Sequence, residues 1–190
     1  SNNRILSLFQ DRTGIFWVGT EGAGLNYYDP YSLLIRNIRQ GNNTQENLNN
    51  KMVYAITCDI NENWWFGTES GGVNHWDSVN KQFNYYNVET GHLHHNTVRA
   101  LLETDLGMFV GTLNGFSLIS KSGRLINKWN TDNLSQLTNN IILSFADAGN
   151  NAIWIGTYSG LFLFDIKSKT ITASYLDDEN KGPASFSIVF

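Results

Sequence analysis

The sequence predicts an all-β fold made of four copies of one four-stranded sheet, and three observations carry that expectation. An aromatic–hydrophobic–Gly–Thr segment recurs four times, as Trp17-Val18-Gly19-Thr20, Trp65-Phe66-Gly67-Thr68, Phe109-Val110-Gly111-Thr112 and Trp154-Ile155-Gly156-Thr157. The glycines stand at 19, 67, 111 and 156, so the steps are 48, 44 and 45 residues. Composition agrees: aromatics make up 13% of the chain and favour strands, while 17 glycines and two prolines suit many tight turns. A period of about 40–45 residues is that of a four-stranded propeller blade. The architecture predicted is therefore a β-propeller: four four-stranded blades and the first strand of a fifth, a fragment of a larger ring.

Each blade opens on an apolar strand: Ile5-Leu6-Ser7-Leu8, Val53-Tyr54-Ala55-Ile56, Val98-Arg99-Ala100-Leu101 and Ile142-Leu143-Ser144-Phe145. Its third residue is always Ser or Ala, as expected of an innermost strand where blades converge and room is least. A turn opened by an aspartate follows, at Asp11, Asp59, Asp105 and Asp147. Asp can accept a hydrogen bond from its own backbone two residues on, and Gly or Asn nearby tolerates positive φ. The aromatic–Gly–Thr segment is the second strand. The third starts at a glycine (Gly24, Gly72, Gly115, Gly160) and ends in Asp29, Asp77, Ser120 or Asp165. Weaker outer strands are expected around Leu34–Ile38, Gln82–Tyr86, Leu125–Trp129 and Thr170–Tyr175.

On this reading residues 1–190 form a single partial propeller domain. Blade one covers about 1–40, blade two about 50–90, blade three about 95–131 and blade four about 139–176. The period places the opening strand of a fifth blade at about 184–190. Ser1 reads as the start of an excised segment with parent sequence on both sides.

Composition narrows the function classes. At 190 residues, with 41% hydrophobic and 16% charged residues, the chain is of ordinary globular make-up. A net charge of −4 argues against a nucleic-acid-binding stripe. No apolar run approaches the ~20 residues of a membrane span, so no membrane contact is expected of this segment. The lone cysteine, Cys58, lies in an apolar strand and reads as a structural thiol. His92-Leu93-His94-His95 could ligate a transition metal on paper. It lacks a carboxylate or Cys partner at ligand spacing, and the matching loop of blade four carries Thr138 and Asn139, so a polar loop is the plainer reading. No metal and no cofactor are expected.

The repeated Asp–Gly turn, Trp–hydrophobic–Gly–Thr strand and Gly–hydrophobic strand ending in Asp resemble the two-component regulator propeller repeat. The lead-ins Leu93-His94-His95-Asn96-Thr97-Val98 and Leu137-Thr138-Asn139-Asn140-Ile141-Ile142 resemble that family's inter-blade loop. The chain departs from the pattern at Phe109, at Asp59-Ile60-Asn61 (no turn glycine) and at Ser120. The resemblance implies the periplasmic sensor region of a hybrid two-component system of the kind found in gut Bacteroides. It implies recognition of oligosaccharides from glycan breakdown, with a β-sandwich, membrane span, histidine kinase and regulator outside this chain.

In a propeller the loop into each inner strand and the loop between second and third strands share one face. That face would carry Glu21, Glu69, Asn114 and Tyr158 just after Gly-Thr, and Asn3, Lys51, Asn96 and Asn140 at the inter-blade entry. Carboxylates, amides and an aromatic ring could bond and stack on a sugar, though solvated turn residues look the same in sequence. The repeated tryptophans Trp17, Trp65 and Trp154 read as packing residues, since a feature common to the blades serves the blades. Trp64, Trp76 and Trp129 break the repeat and are free for another role.

The expectation is a ligand-sensing segment of an extracytoplasmic receptor domain, without enzymatic activity of its own. The alternatives are a protein-interaction scaffold and, less favoured, a propeller glycosidase, which would need two carboxyl groups converging across a sugar. Expected partners are an oligosaccharide, the remaining blades and downstream domains of the parent, and a second copy of the chain through its open edges.

Overall fold

The computed structural model describes residues 4–30, 34–38, 41 and 46–176. Asn3 and the expected fifth-blade strand at 184–190 lie outside the described residues. Among the described residues, sixteen strands form four antiparallel meanders, each in chain order. The first sheet holds β1 (Ile5–Gln10), β2 (Phe16–Thr20), β3 (Leu25–Asp29) and β4 (Leu34–Ile38). The second holds β5 (Val53–Cys58), β6 (Trp64–Thr68), β7 (Val73–Asp77) and β8 (Gln82–Tyr86). The third holds β9 (Val98–Thr104), β10 (Gly107–Thr112), β11 (Gly115–Ile119) and β12 (Leu125–Trp129). In the fourth are β13 (Ile142–Gly149), β14 (Ala152–Thr157), β15 (Gly160–Asp165) and β16 (Thr170–Leu176). Among the described residues there is no helix, and the fold class is the all-β, blade-repeat class that the sequence predicts.

The chain forms two compact units. The first runs to Gly91 and takes in Asn96–Val98; the second holds His92–His95 and continues from Arg99. In the first unit Leu25, Leu48, Val53, Phe66 and Phe83 form the core, with Trp17, Trp64 and Trp76 half-buried against it. In the second, Phe109, Phe116, Trp129, Ile142, Phe162 and Phe164 are buried together. Phe116 and Phe164 meet edge to face at 5.3 Å, the geometry that ring quadrupoles favour. Trp129, which breaks the repeat in sequence, is 4% exposed and belongs to this core.

The repeat's glycine and its small inner-strand residue are one feature. Ser7 pairs with Gly19, Ala55 with Gly67 and Ser144 with Gly156 across the first two strands of their blades. A Cβ on Gly19 would stand 2.1 Å from Ser7 Oγ and 2.7 Å from the Val53 carbonyl oxygen. On Gly67 it would meet Val98 Cγ1 at 2.6 Å, and on Gly111 Ile142 Cγ2 at 2.6 Å. Val53, Val98 and Ile142 are the first residues of β5, β9 and β13, and each is 0% exposed. The glycine is thus the socket for the next inner strand, and the small residue beside it lets that strand approach. Convergence on an axis is not needed to explain it.

The aspartate turns are built as expected in three blades. Asp11 Oδ1 accepts the Thr13 amide at 2.9 Å, Asp59 Oδ1 that of Asn61 at 2.9 Å, and Asp147 Oδ1 that of Gly149 at 2.9 Å. Blade three differs. Its strands reach to Thr104 and resume at Gly107, so the hairpin is too short for that bond, and Thr104 Oγ1 donates to the Gly107 carbonyl instead, at 2.9 Å. In the first unit the same aspartates also hold the tryptophans: Trp17 Nε1 donates to Asp11 Oδ2 at 3.1 Å and Trp65 Nε1 to Asp59 Oδ2 at 3.0 Å. Burial opposes the charge on Asp11, but the bonds from Thr13, Trp17 and Ile15 outweigh it and its pKa is lowered.

Candidate ligand-binding face

The second-to-third-strand turns, one residue longer in blades one and two than in three and four, are all stapled by the threonine that ends the second strand. Thr20, Thr68, Thr112 and Thr157 donate their hydroxyls to the carbonyls of Gly24, Gly72, Gly115 and Gly160 at 2.7–2.9 Å. The same hydroxyls accept the amides of Ala23, Gly71, Asn114 and Ser159 at 3.1–3.2 Å. All four threonines are buried. This stapling role went unread in the sequence, where a Thr followed by Gly three or four residues on was the available signal.

The entry loops are tied to these turns through the backbone. The amides of Gly24, Gly72 and Gly115 donate to the carbonyls of Lys51, Asn96 and Asn140 at 2.9, 2.9 and 2.7 Å. Those three glycines have φ of +77°, +74° and +85°, where other residues are strained. A Cβ on Gly72 or Gly115 would in addition lie 2.2 or 2.0 Å from the carbonyl of Tyr86 or Trp129. Loop pairs of the two kinds are therefore neighbours. Five residues before Val53, Val98 and Ile142, the lead-in leucines Leu48, Leu93 and Leu137 plug the core at 0–1% exposure.

The predicted side chains separate on inspection. Glu21 and Glu69 both flank Met52: Glu21 bridges it, and the Glu69 amide donates to its carbonyl at 3.1 Å. Glu21 forms an ion pair with Arg4 at 2.7 Å, and Tyr54 Oη reaches Glu69 Oε1 at 3.4 Å. Thr97 donates its hydroxyl to the Glu69 carbonyl. Lys51 is exposed. Tyr158 is 56% exposed beside the second unit's entry loop, its amide bonded to the Ile141 carbonyl at 3.1 Å.

Asn114 requires a correction. Its amide meets the Thr112 hydroxyl as that of Ser159 meets Thr157, so Asn114 corresponds to Ser159 and Leu113 to Tyr158; the blade-three turn is one residue out of the assumed register. Asn96 and Asn140 hold the preceding loop: Asn96 Oδ1 accepts the Val88 amide and Asn140 Oδ1 the Thr131 amide, both at 2.8 Å. Asn140 Nδ2 also donates to Thr131 Oγ1 at 3.0 Å, and Asn96 Nδ2 to the Glu89 carboxylate at 3.2 Å. Their side chains thus serve the loops first.

Other candidates also find places. His92 Nε2 lies 3.1 Å from the Gly123 carbonyl, and among the described residues no three His, Cys, Asp or Glu side chains are grouped to hold a metal. Trp65 is 1% exposed, as a packing residue should be, and packs on His75 at 4.2 Å with the rings tilted by 40°. Burial pushes the Cys58 thiol up to about 11, helped by Asp59.

Against known proteins, residues 1–22 match the model of the two-component regulator propeller family. Over those residues the chain is similar to that family's repeat. No curated protein matches it in sequence. Among solved structures it is similar to the extracellular domain of the hybrid two-component system BT3049 of B. thetaiotaomicron, with TM-score 0.78 and 20% identity over 90% of this chain. The extracellular domain of BT4673 from the same organism gives TM-score 0.72 and 22% identity over 95%. The chain spans 24% and 22% of the length of those chains. The computationally designed protein Ika4 gives TM-score 0.60 and 13% identity, with 93% of each chain covered. At these identities the likeness is one of fold. Among the described residues no helix is long and apolar enough to cross a membrane.

Proposed function

We propose that the chain is a ligand-binding segment of the extracytoplasmic part of a hybrid two-component sensor, located in the periplasm. On this reading it binds oligosaccharides derived from glycans and signals to a histidine kinase outside the chain, without catalysing a reaction. The observation that carries the reading is the two-component regulator propeller repeat over residues 1–22, and the propeller ectodomains of similar fold support it. In the first unit the proposed ligand contacts are Glu21, Glu69, Lys51 and Asn96; in the second they are Asn114, Asn140 and Tyr158. Binding can signal only if the ligand prefers one arrangement of the receptor over another.

A thermal-shift screen against di- and oligosaccharides tests this. A ligand at a hundred times its Kd stabilises by about 2.7 kcal/mol, which is a rise of about 5–10 °C for a domain of this size. Glu69→Gln and Tyr158→Ala should reduce the rise. A full rise in both variants would remove these residues from the site.

A further reading concerns partners. Ile5 is 63% exposed, whereas its counterparts Val53, Val98 and Ile142 are 0% exposed, and Leu8 beside it is 64% exposed. Ile5 has the form of a knob whose glycine socket belongs to another blade. In the parent that would be a preceding blade; in the isolated chain, a second copy.

A further inference from the structure

The first unit has a groove at the opposite end of its sheets from the Thr–Gly turns, formed where the β1–β2, β5–β6 and β7–β8 turns meet. It encloses about 430 Å³, within the ~300–1,000 Å³ of small-ligand sites. Its apolar wall is made of Phe9, Trp64 and Trp76. Trp64 and Trp76 are cross-strand partners. Trp64 is held edge-on by Phe9 at 5.6 Å and packs on Trp17 at 4.2 Å, and Trp76 packs on Phe83 at 4.9 Å. The rings are therefore fixed before any ligand arrives.

These two positions are where the repeat is broken. The residues that correspond to Trp64 in the third and fourth sheets are Met108 and Ile153, and those that correspond to Trp76 are Ile119 and Phe164; all four are at most 1% exposed. The first sheet also leaves these positions half-buried, with Phe16 and Tyr28, but only blade two places indoles at both. Around them stand Arg12, Glu62 and Lys81, all exposed. Among the described residues their side-chain charged groups make no hydrogen bond or ion pair, whereas the carboxylates of Asp11 and Asp59 are engaged by their own turns and tryptophans.

We propose that this groove is a second ligand site, for a neutral mono- or disaccharide. The donor–acceptor chemistry selects that class. A pyranose presents a C–H face for indole rings and hydroxyls that both donate and accept. Uncommitted cations and an uncommitted carboxylate around one aromatic wall suit such hydroxyls. An anionic ligand would meet Asp11, Asp59 and Glu62, and a cationic one Arg12 and Lys81. The site lies apart from the face proposed above and draws on the sensor reading only for its biological purpose.

Isothermal titration of the whole chain with glucose, galactose, cellobiose, maltose and lactose tests the assignment. Arg12→Ala and Glu62→Gln change exposed side chains, so their unfolding midpoints should match the parent's. Each should weaken binding of the sugar that gives heat by about five-fold, the worth of a lost hydrogen bond, while Lys121→Ala, an exposed change in the second unit, leaves it unaltered. Binding lost in Glu21→Gln and Glu69→Gln variants but kept in the groove variants would overturn the groove and uphold the opposite face. Heat from none of the sugars at millimolar concentration would overturn the groove directly.

Discussion

At the level of single residues, the motif is a set of hydrogen bonds. The aspartate that opens the hairpin and the tryptophan six residues later are partners through Asp59 Oδ2 and Trp65 Nε1. In blade three, with its shorter hairpin, the ring is Phe109, which has no N–H to offer. Trp65→Phe should therefore keep the fold but cost about 2 kcal/mol or more, because Asp59 is buried and loses a donor to a carboxylate; urea unfolding reads this. His75 makes a second residue-scale prediction. It is 7% exposed between Trp65 and Tyr86, and its Nε2 has no partner. Burial lowers its pKa from 6.5, with Asp59 and Asp77 opposing in part. A depressed histidine pKa means that the unfolded chain takes up the proton first, so its stability contribution is whole above pH ~6.5 and falls as pH drops toward the folded-state value. Replacing His75 with Phe should flatten that acid slope in unfolding titrations, and an unchanged slope would assign it elsewhere.

The strand is the unit at which the sequence was most legible. The recurring Gly–Thr segment, with the apolar strand before it and the glycine-led strand after it, located all sixteen strands, including the outer ones, because each blade repeats the same burial problem at the same spacing. What stayed hidden was three-dimensional pairing. The small residue at the third inner-strand position and the Gly–Thr glycine are neighbours across a ladder, and the knob that fills the socket comes from some thirty residues on. The register of Asn114, by contrast, was legible in the letters: Asn114 is the second residue after its threonine, as Ser159 is, whereas Glu21, Glu69 and Tyr158 are the first. The bonds by which Asn96 and Asn140 hold the preceding loops were not visible in the sequence. If the socket account holds, Gly67→Ala should cost about 1–3 kcal/mol through overpacking against Val98 and Ala55. A neutral effect on the denaturation midpoint would show that the strands yield freely.

For the molecule as a whole, the exposed Ile5 and Leu8 on β1 lead to an expectation about assembly. The isolated chain should self-associate with increasing concentration in sedimentation velocity, and Ile5→Ser with Leu8→Ser should shift it toward monomer. An unsubstituted isolated chain that stays monomeric at high concentration would mean that this apolar edge needs no cover. Function was legible only as far as the repeat was: the regulator-propeller signature was in the letters, whereas the groove of Trp64 and Trp76 emerged only when turns distant in sequence were brought together.

The proposal that these blades bind ligand through their Thr–Gly turns and entry loops is tested most directly by amide hydrogen exchange, with and without the oligosaccharide that stabilises the chain most. Added protection should concentrate at residues 20–24, 68–72 and 157–160 and in the entry loops beside them. Unchanged exchange in those turns, with the sugar bound, would contradict the proposal.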